Sequence, residues 1–137
     1  LWLSGQNAAA LEMTQKALAI AARLGNEALA LGTMFNLGMI HHALGEYGRA
    51  IEVHAEILPA LTGARESQRM NWGGYPGVFV RTFLAQSCLE LGRTDEAADY
   101  VAYGSALADR FRHPYSQAMI RSIEGQLLLA RERPTEA

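Results

Sequence analysis

The sequence predicts an all-α protein made of repeated helical hairpins, and three observations carry this. The first is composition. The 137 residues are half hydrophobic and 19% charged, which suits a folded domain with a sizeable core. The second is a recurring string: "SGQNAAALE" from Ser4, "LGEYGRAIE" from Leu44 and "LGRTDEAAD" from Leu91. Aligned on Gly5, Gly45 and Gly92, each has an alanine five residues on, at Ala10, Ala50 and Ala97. The third is a small residue seven positions upstream: Gly38 before Gly45, Ala85 before Gly92, and Gly125 before Glu132. "RERPTEA" then reads as the start of a further copy. Each unit is a helix, a tight turn at glycine and a second helix, with a period of 40–47 residues.

The periodicity predicts helices at 6–24, 27–44, 46–61, 78–91, 94–111 and 115–131, and a start at 134. Gly25 and Asn26 serve as C′ and N-cap between the first two helices. Gly45 ends the second helix. Pro59 ends or kinks the third. Thr94 caps the fifth, with Asp95 and Glu96 complementing its dipole. Pro114 and Pro134 suit first turns. Residues 62–77, "TGARESQRMNWGGYPG", form the longest connection, with a helical turn in "ARESQRM" before "WGGYPG" breaks it. A glycine in a helix interior costs roughly 1 kcal/mol against alanine, so Gly38 needs a reason. Gly38 and Ala50 are expected where paired helices cross closely; Gly48 has no such account.

Bulk properties exclude several functions. Net charge is −2, and acids are interspersed with the basic residues, so neither nucleic acid nor an anionic membrane is indicated as a partner. Of the 12 basic residues only Lys16 is lysine. Residues 28–45 lack Asp, Glu, Lys and Arg, but Asn36, His41, His42 and the glycines interrupt them. A helix buried between other helices explains that stretch better than a membrane span. Cys88 is the single cysteine, so no intrachain disulfide forms, which fits a reducing cytoplasm. The chain starts at Leu1 with no secretory leader pattern, and is expected to be a fragment of a longer protein.

"MFNLGMIHHALGEYGRAIEVHAEIL" resembles a tetratricopeptide repeat. Leu37, Gly38 and Ala50 fit its pattern, and Met34, His41 and His54 stand in for its tryptophan and aromatics. The next copy keeps Leu84 and Ala97 and has Ala85 in place of glycine. The long period, with "YPGV" at 75–78 and "HPYS" at 113–116, is similar to repeat arrays of large bacterial signalling proteins. Those arrays lie C-terminal to cyclase or kinase-like and ATPase domains; related arrays occur in ATP-dependent transcription activators. The resemblance implies a right-handed α-α superhelix, a TPR-like solenoid of helical hairpins. It implies one repeat domain over 1–137: a partial repeat at 1–25, repeats at 26–62 and 63–112, and a truncated one at 113–137.

In such a stack the first helix of each unit lines the concave side. Candidate groove residues are Phe35, Met39 and His42, then Phe79, Phe83 and Gln86, then Met119 and Gln126. Ordinary packing against neighbours is the competing account. Leu37, Gly38, Ala50, Leu84, Ala85 and Ala97 are the helix-packing set. Trp72 and Tyr75 either pack the long connection or form a binding loop on a rigid scaffold. The basic residues that capture a peptide C-terminus in some tetratricopeptide domains are not evident. Arg65, Arg69 and Arg81 flank the connection, and Arg110 and Arg112 form a smaller pair, all readable as solvated surface or ion pairs.

No metal spacing is present: His41 and His42 point about 100° apart on a helix, and no H-x3-H or Cys/His pattern exists. "NWGGYPG" lacks a lysine and follows no strand, so it is no phosphate loop. Ser87, Ser105 and Ser116 sit in helical contexts with no base beside them. The expected function is a non-catalytic protein-interaction scaffold without cofactor or metal. The alternative is a sensor module binding a small ligand or nucleic acid in the concavity. Self-association into a homodimer through exposed repeat ends is a further route.

Overall fold

The computed structural model describes residues 2–132. The predicted start at 134, Pro134 and Ala137 lie outside the described residues. Six α-helices run in order: α1 (Trp2–Leu24), α2 (Glu27–Ala43), α3 (Tyr47–Ile57), α4 (Pro76–Glu90), α5 (Thr94–Phe111) and α6 (Pro114–Glu132). Short 3-10 segments, Leu58–Leu61 and Gly63–Ser67, lead into the long connection. No strand occurs among the described residues, and the fold is all-α and tetratricopeptide-like. The chain divides into two compact units, Leu1–Ile57 and Leu58–Ala137.

In the first unit α1 packs on α2 and α2 on α3. The turns follow the expected chemistry. Gly25 has φ +61° and Gly45 φ +77°, left-handed values that favour glycine, and neither has an atom within 4 Å of an added Cβ. Their role is therefore conformational. Asn26 caps α2, its Oδ1 accepting from the Leu29 N–H at 3.0 Å. Gly5 corrects the repeat alignment. It is an interior residue of the unbroken α1, so the first copy of the string contains no turn.

The second unit is built around α4. This helix packs against α5, α6 and the 3-10 turn at Leu58–Leu61, so nearly its whole circumference is covered. Its sequence fits: "PGVFVRTFLAQSCLE" carries one basic residue, Arg81, and one acidic residue, Glu90. Val78, Val80, Leu84, Ala85 and Cys88 are fully buried. Val78 joins Leu107, Ala108 and Ile120 in a core cluster bordered by Tyr75 and Phe111. Pro76 opens α4 two residues before the predicted start, as suits a first-turn proline. Pro59 falls in the 3-10 turn that follows α3. Thr94 is the first helical residue of α5, not its cap; Arg93 occupies the cap position without a side-chain bond. Gly92, at φ +71°, makes the α4–α5 turn as Gly45 makes the α2–α3 turn. The later two copies of the recurring string thus share one backbone geometry.

Candidate functional site

Three places bring candidate residues together. In the first unit, Gly38 is buried on α2 directly under the His54 ring of α3, and a Cβ there would overlap the imidazole. The close approach is side chain to backbone rather than backbone to backbone. His54 is fully buried, and its Nε2–H donates to the Phe35 carbonyl at 3.0 Å. The Phe35 ring lies against it, centroids 5.3 Å apart. Burial pushes the His54 pKa below its usual 6.5, the Phe35 carbonyl opposes that shift, and the charge of His42 adds to it. His41 is also buried, with Nδ1 at 2.6 Å from Glu46 Oε2 across the turn. His42 is half-buried edge-on to Tyr47, and Met39 is 38% exposed.

A pH prediction follows from the neutral His54. Above about pH 7 the imidazole is neutral in both states, so its protonation contributes nothing to the folding balance. As pH falls through 6.5 the unfolded chain takes up a proton that folded His54 resists, so stability drops until its lowered folded pKa is reached. The urea midpoint of the first unit is expected to fall between pH 7.5 and 5.5, and His54→Gln is expected to flatten that dependence.

The long connection is held to the second unit by two sets of contacts. At one end, Glu66 accepts from the Tyr103 hydroxyl and from Arg110 Nη2 at 2.8 Å. These two hydrogen bonds, and then the charges of Arg110 and Arg81, hold its carboxyl below the usual range. Arg81 is buried; its guanidinium sits 3.9 Å over the Tyr103 ring and Nη1 donates to the Gly77 carbonyl at 3.0 Å. Arg81 is thus an interior residue, not the solvated surface its sequence context suggested. At the other end aromatic rings interlock. Trp72 stacks near Phe79 at 6.3 Å, and Phe79 meets Tyr115 edge-on at 5.6 Å. Tyr75 stacks on Phe111 at 4.3 Å. Trp72 and Tyr75 are half-buried, and Phe79 is 8% exposed. Tyr115 is 54% exposed.

Ser116 ties this loop to α6. It is fully buried, its Oγ accepts from the Tyr75 N–H at 3.2 Å, and it lies 3.0 Å from His113 Nδ1. The same Nδ1 accepts from the Ser116 N–H at 3.2 Å, so Oγ–H is the donor to the ring. A serine with a histidine at nucleophile–base distance was not legible in the sequence. Here both groups are engaged with backbone: His113 caps the start of α6, and Ser116 anchors the loop. Gly74 is bare for the same reason, since an added Cβ would lie 2.6 Å from Ser116 Oγ.

The third place is the face shared by α4 and α6, which pack together. Phe83, Gln86 and Met119 are half-buried and Gln126 is exposed. Near the helix C-termini a cleft of about 250 Å³ opens, lined by Leu89, Glu90, Gln126, Leu129 and Ala130. Leu128 and Leu129 on α6 are 58% and 60% exposed. Of the helix-packing set, Ala50, Leu84, Ala85 and Ala97 are fully buried and Leu37 is half-buried.

The family model described as tetratricopeptide repeat matches residues 33–69, and a second of the same description matches residues 78–99. The chain carries tetratricopeptide-like repeats. No curated protein and no solved structure matches it. The first matched repeat spans the Gly38–His54 contact, and the second spans α4 and the turn into α5. Tetratricopeptide repeats generally mediate protein–protein interaction and are typically non-catalytic. Among the described residues no group of His, Cys, Asp and Glu could hold a metal ion. Burial first, then the charge of Glu96, pushes the Cys88 thiol up to about 11, so it is protonated and unreactive at neutral pH. No described helix is long and apolar enough to cross a membrane.

Proposed function

We propose that this chain is a protein–protein interaction scaffold, the regulatory repeat region of a bacterial multidomain signalling protein acting in the cytoplasm. One observation carries the interaction reading: the α4–α6 face offers apolar side chains to solvent on a rigid, well-packed base. Leu89 and Leu129 line one cleft there, Leu129 is 60% exposed, Met119 is half-buried, and Leu84, Cys88, Ile123 and Leu127 of the same two helices are buried. The bacterial signalling context rests on the "YPGV" and "HPYS" stretches alone.

The test is affinity capture from native lysate, with partners identified by mass spectrometry. The unmodified chain is run beside a Leu89→Ala, Met119→Ala, Leu129→Ala variant shown by circular dichroism to remain helical. A protein captured by the first and lost with the second is the expected result. Equal capture by both would move the interaction off this face. A second variant, Met39→Ala with His42→Ala, asks the same question of α2.

A further inference from the structure

We infer that the outer face of α6 is a docking site for α1 of a second copy of this chain. The interface joins unlike faces, head to tail. It goes beyond the interaction reading above and uses none of the side chains that test it.

Two helices carry apolar stripes that stay open. On α6, Ser116, Ile120, Ile123 and Leu127 are buried, while Ala118, Gly125 and Leu128 are exposed. On α1, Ala21 is buried, while Met13, Ile20 and Leu24 are exposed. The α4–α5 pair shows what such stripes do when they meet. Ala118, Gly125 and Leu128 stand to Glu132 as Val78, Ala85 and Cys88 stand to Gly92, and those three are fully buried. Met13, Ile20 and Leu24 stand to Gly25 as Tyr100, Leu107 and Phe111 stand to Arg112. Gly25 and Arg112 end their helices in the same left-handed backbone, φ +61° and +49°, so the correspondence is one of structure as well as sequence. In the second unit Leu107 packs with Val78, and Phe111 borders that cluster. Thus α6 presents the α4 half of a hairpin interface and α1 presents the α5 half. An uncapped repeat of this kind leaves apolar surface for a neighbour to cover.

Two further features fit this occupant. The first is Gly125. Its counterpart on α2, Gly38, is bare because the His54 ring lies where a Cβ would be. Gly125 carries the same helix-interior cost with nothing within 4 Å of an added Cβ. Thr14 stands to Ala10 as His54 stands to Ala50, so docking in the same register brings Thr14 of the second copy to Gly125. The second feature is charge. Arg121 holds both Asp109 and Glu124, two carboxylates on one guanidinium, a cluster of net negative charge. Arg121 is the counterpart of Arg81, which lies over Tyr103, and the counterpart of Tyr103 on α1 is Lys16. Lys16 is exposed and paired only with the exposed Glu12. The second copy therefore brings an ammonium to the acidic cluster. One chain carries both halves of the contact, and such a heterologous contact repeats from copy to copy.

The test is sedimentation equilibrium of the whole chain between about 10 µM and 1 mM. Met13→Glu with Leu24→Glu blocks the α1 face, and Ala118→Glu with Leu128→Glu blocks the α6 face. All four side chains are exposed, so the core is untouched. Where circular dichroism shows a double variant losing helicity, Leu24→Glu or Leu128→Glu alone takes its place. The unmodified chain is expected to gain mass with concentration, and each blocked variant to stay monomeric. An equimolar mixture of the two blocked variants is expected to form a dimer, because it still pairs one intact α1 face with one intact α6 face. An unmodified chain that remains monomeric throughout would overturn the proposal and leave the two faces to other partners. A blocked variant that still dimerises alone would overturn it in favour of pairing between like faces. A mixture that stays monomeric would overturn it as well.

Discussion

Gly38→Ala is expected to destabilise the first unit by about 1–3 kcal/mol, the cost of overpacking a filled site. The direction is not trivial. Alanine is favoured over glycine in a helix interior by about 1 kcal/mol, so the substitution begins with an advantage. The structure decides against it. The new methyl would overlap the buried His54 imidazole, which is fixed by its bond to the Phe35 carbonyl and by contact with the Phe35 ring. The ring must swing away, and a buried N–H then loses its acceptor. Two further variants isolate the cause. Gly125→Ala places a methyl in the interior of α6 with nothing within 4 Å, and is expected to stabilise by about 0.5–1 kcal/mol. Adding His54→Ala to Gly38→Ala removes the clash, so the double variant should lose less than the sum of the single losses. Urea midpoints of the parent, the three single variants Gly38→Ala, His54→Ala and Gly125→Ala, and the double variant give the answer. A Gly38→Ala chain as stable as the parent would show that His54 relocates freely.

The parts of the fold legible in the sequence are those set by local chemistry. Gly25, Gly45 and Gly92 mark turns because only a residue without Cβ adopts positive φ readily, and each sits where a periodic apolar run stops. Asn26 and Pro114 mark helix starts for equally local reasons. The string around Gly5 shares residues with the turn strings but lacks their backbone, because "LSGQNAAALE" has a helical alanine run on its far side and nothing to stop it. Gly38 was legible as a place of close approach, but not as a seat for a histidine nineteen residues from Phe35. The contacts that fix the long connection were not legible. Glu66 meets Tyr103 and Arg110 across 37 and 44 residues, and no local pattern announces such a pairing. Arg81 shows the same limit, because the ring that covers it comes from the next helix. The cleft at Leu89, Glu90 and Gln126 has the same origin: its two walls belong to helices that sequence alone cannot set side by side.

The second unit should be most sensitive at Ile120. Its side chain is wholly buried among Val78, Leu107 and Ala108, so Ile120→Ala is expected to cost about 2–5 kcal/mol through lost burial and a residual cavity. The size within that range depends on whether the surroundings can close in. Gly104 on α5 makes collapse difficult to predict from area alone, since it faces Ile120 with no side chain of its own. A Cβ on Gly104 would lie 2.8 Å from Ile120 Cδ1 and 3.3 Å from Cγ1. Gly104→Ala alone is therefore expected to destabilise, despite alanine's helix propensity. Ile120→Val deletes Cδ1, the atom in the way, at a cost of about 0.5–1.5 kcal/mol. Together the two changes place one methyl where another was removed, and the double variant should be more stable than the summed losses allow. Thermal or urea unfolding of the single and double variants measures that coupling directly. Strict additivity would mean that α5 and α6 separate on substitution rather than holding the approach that makes Gly104 necessary.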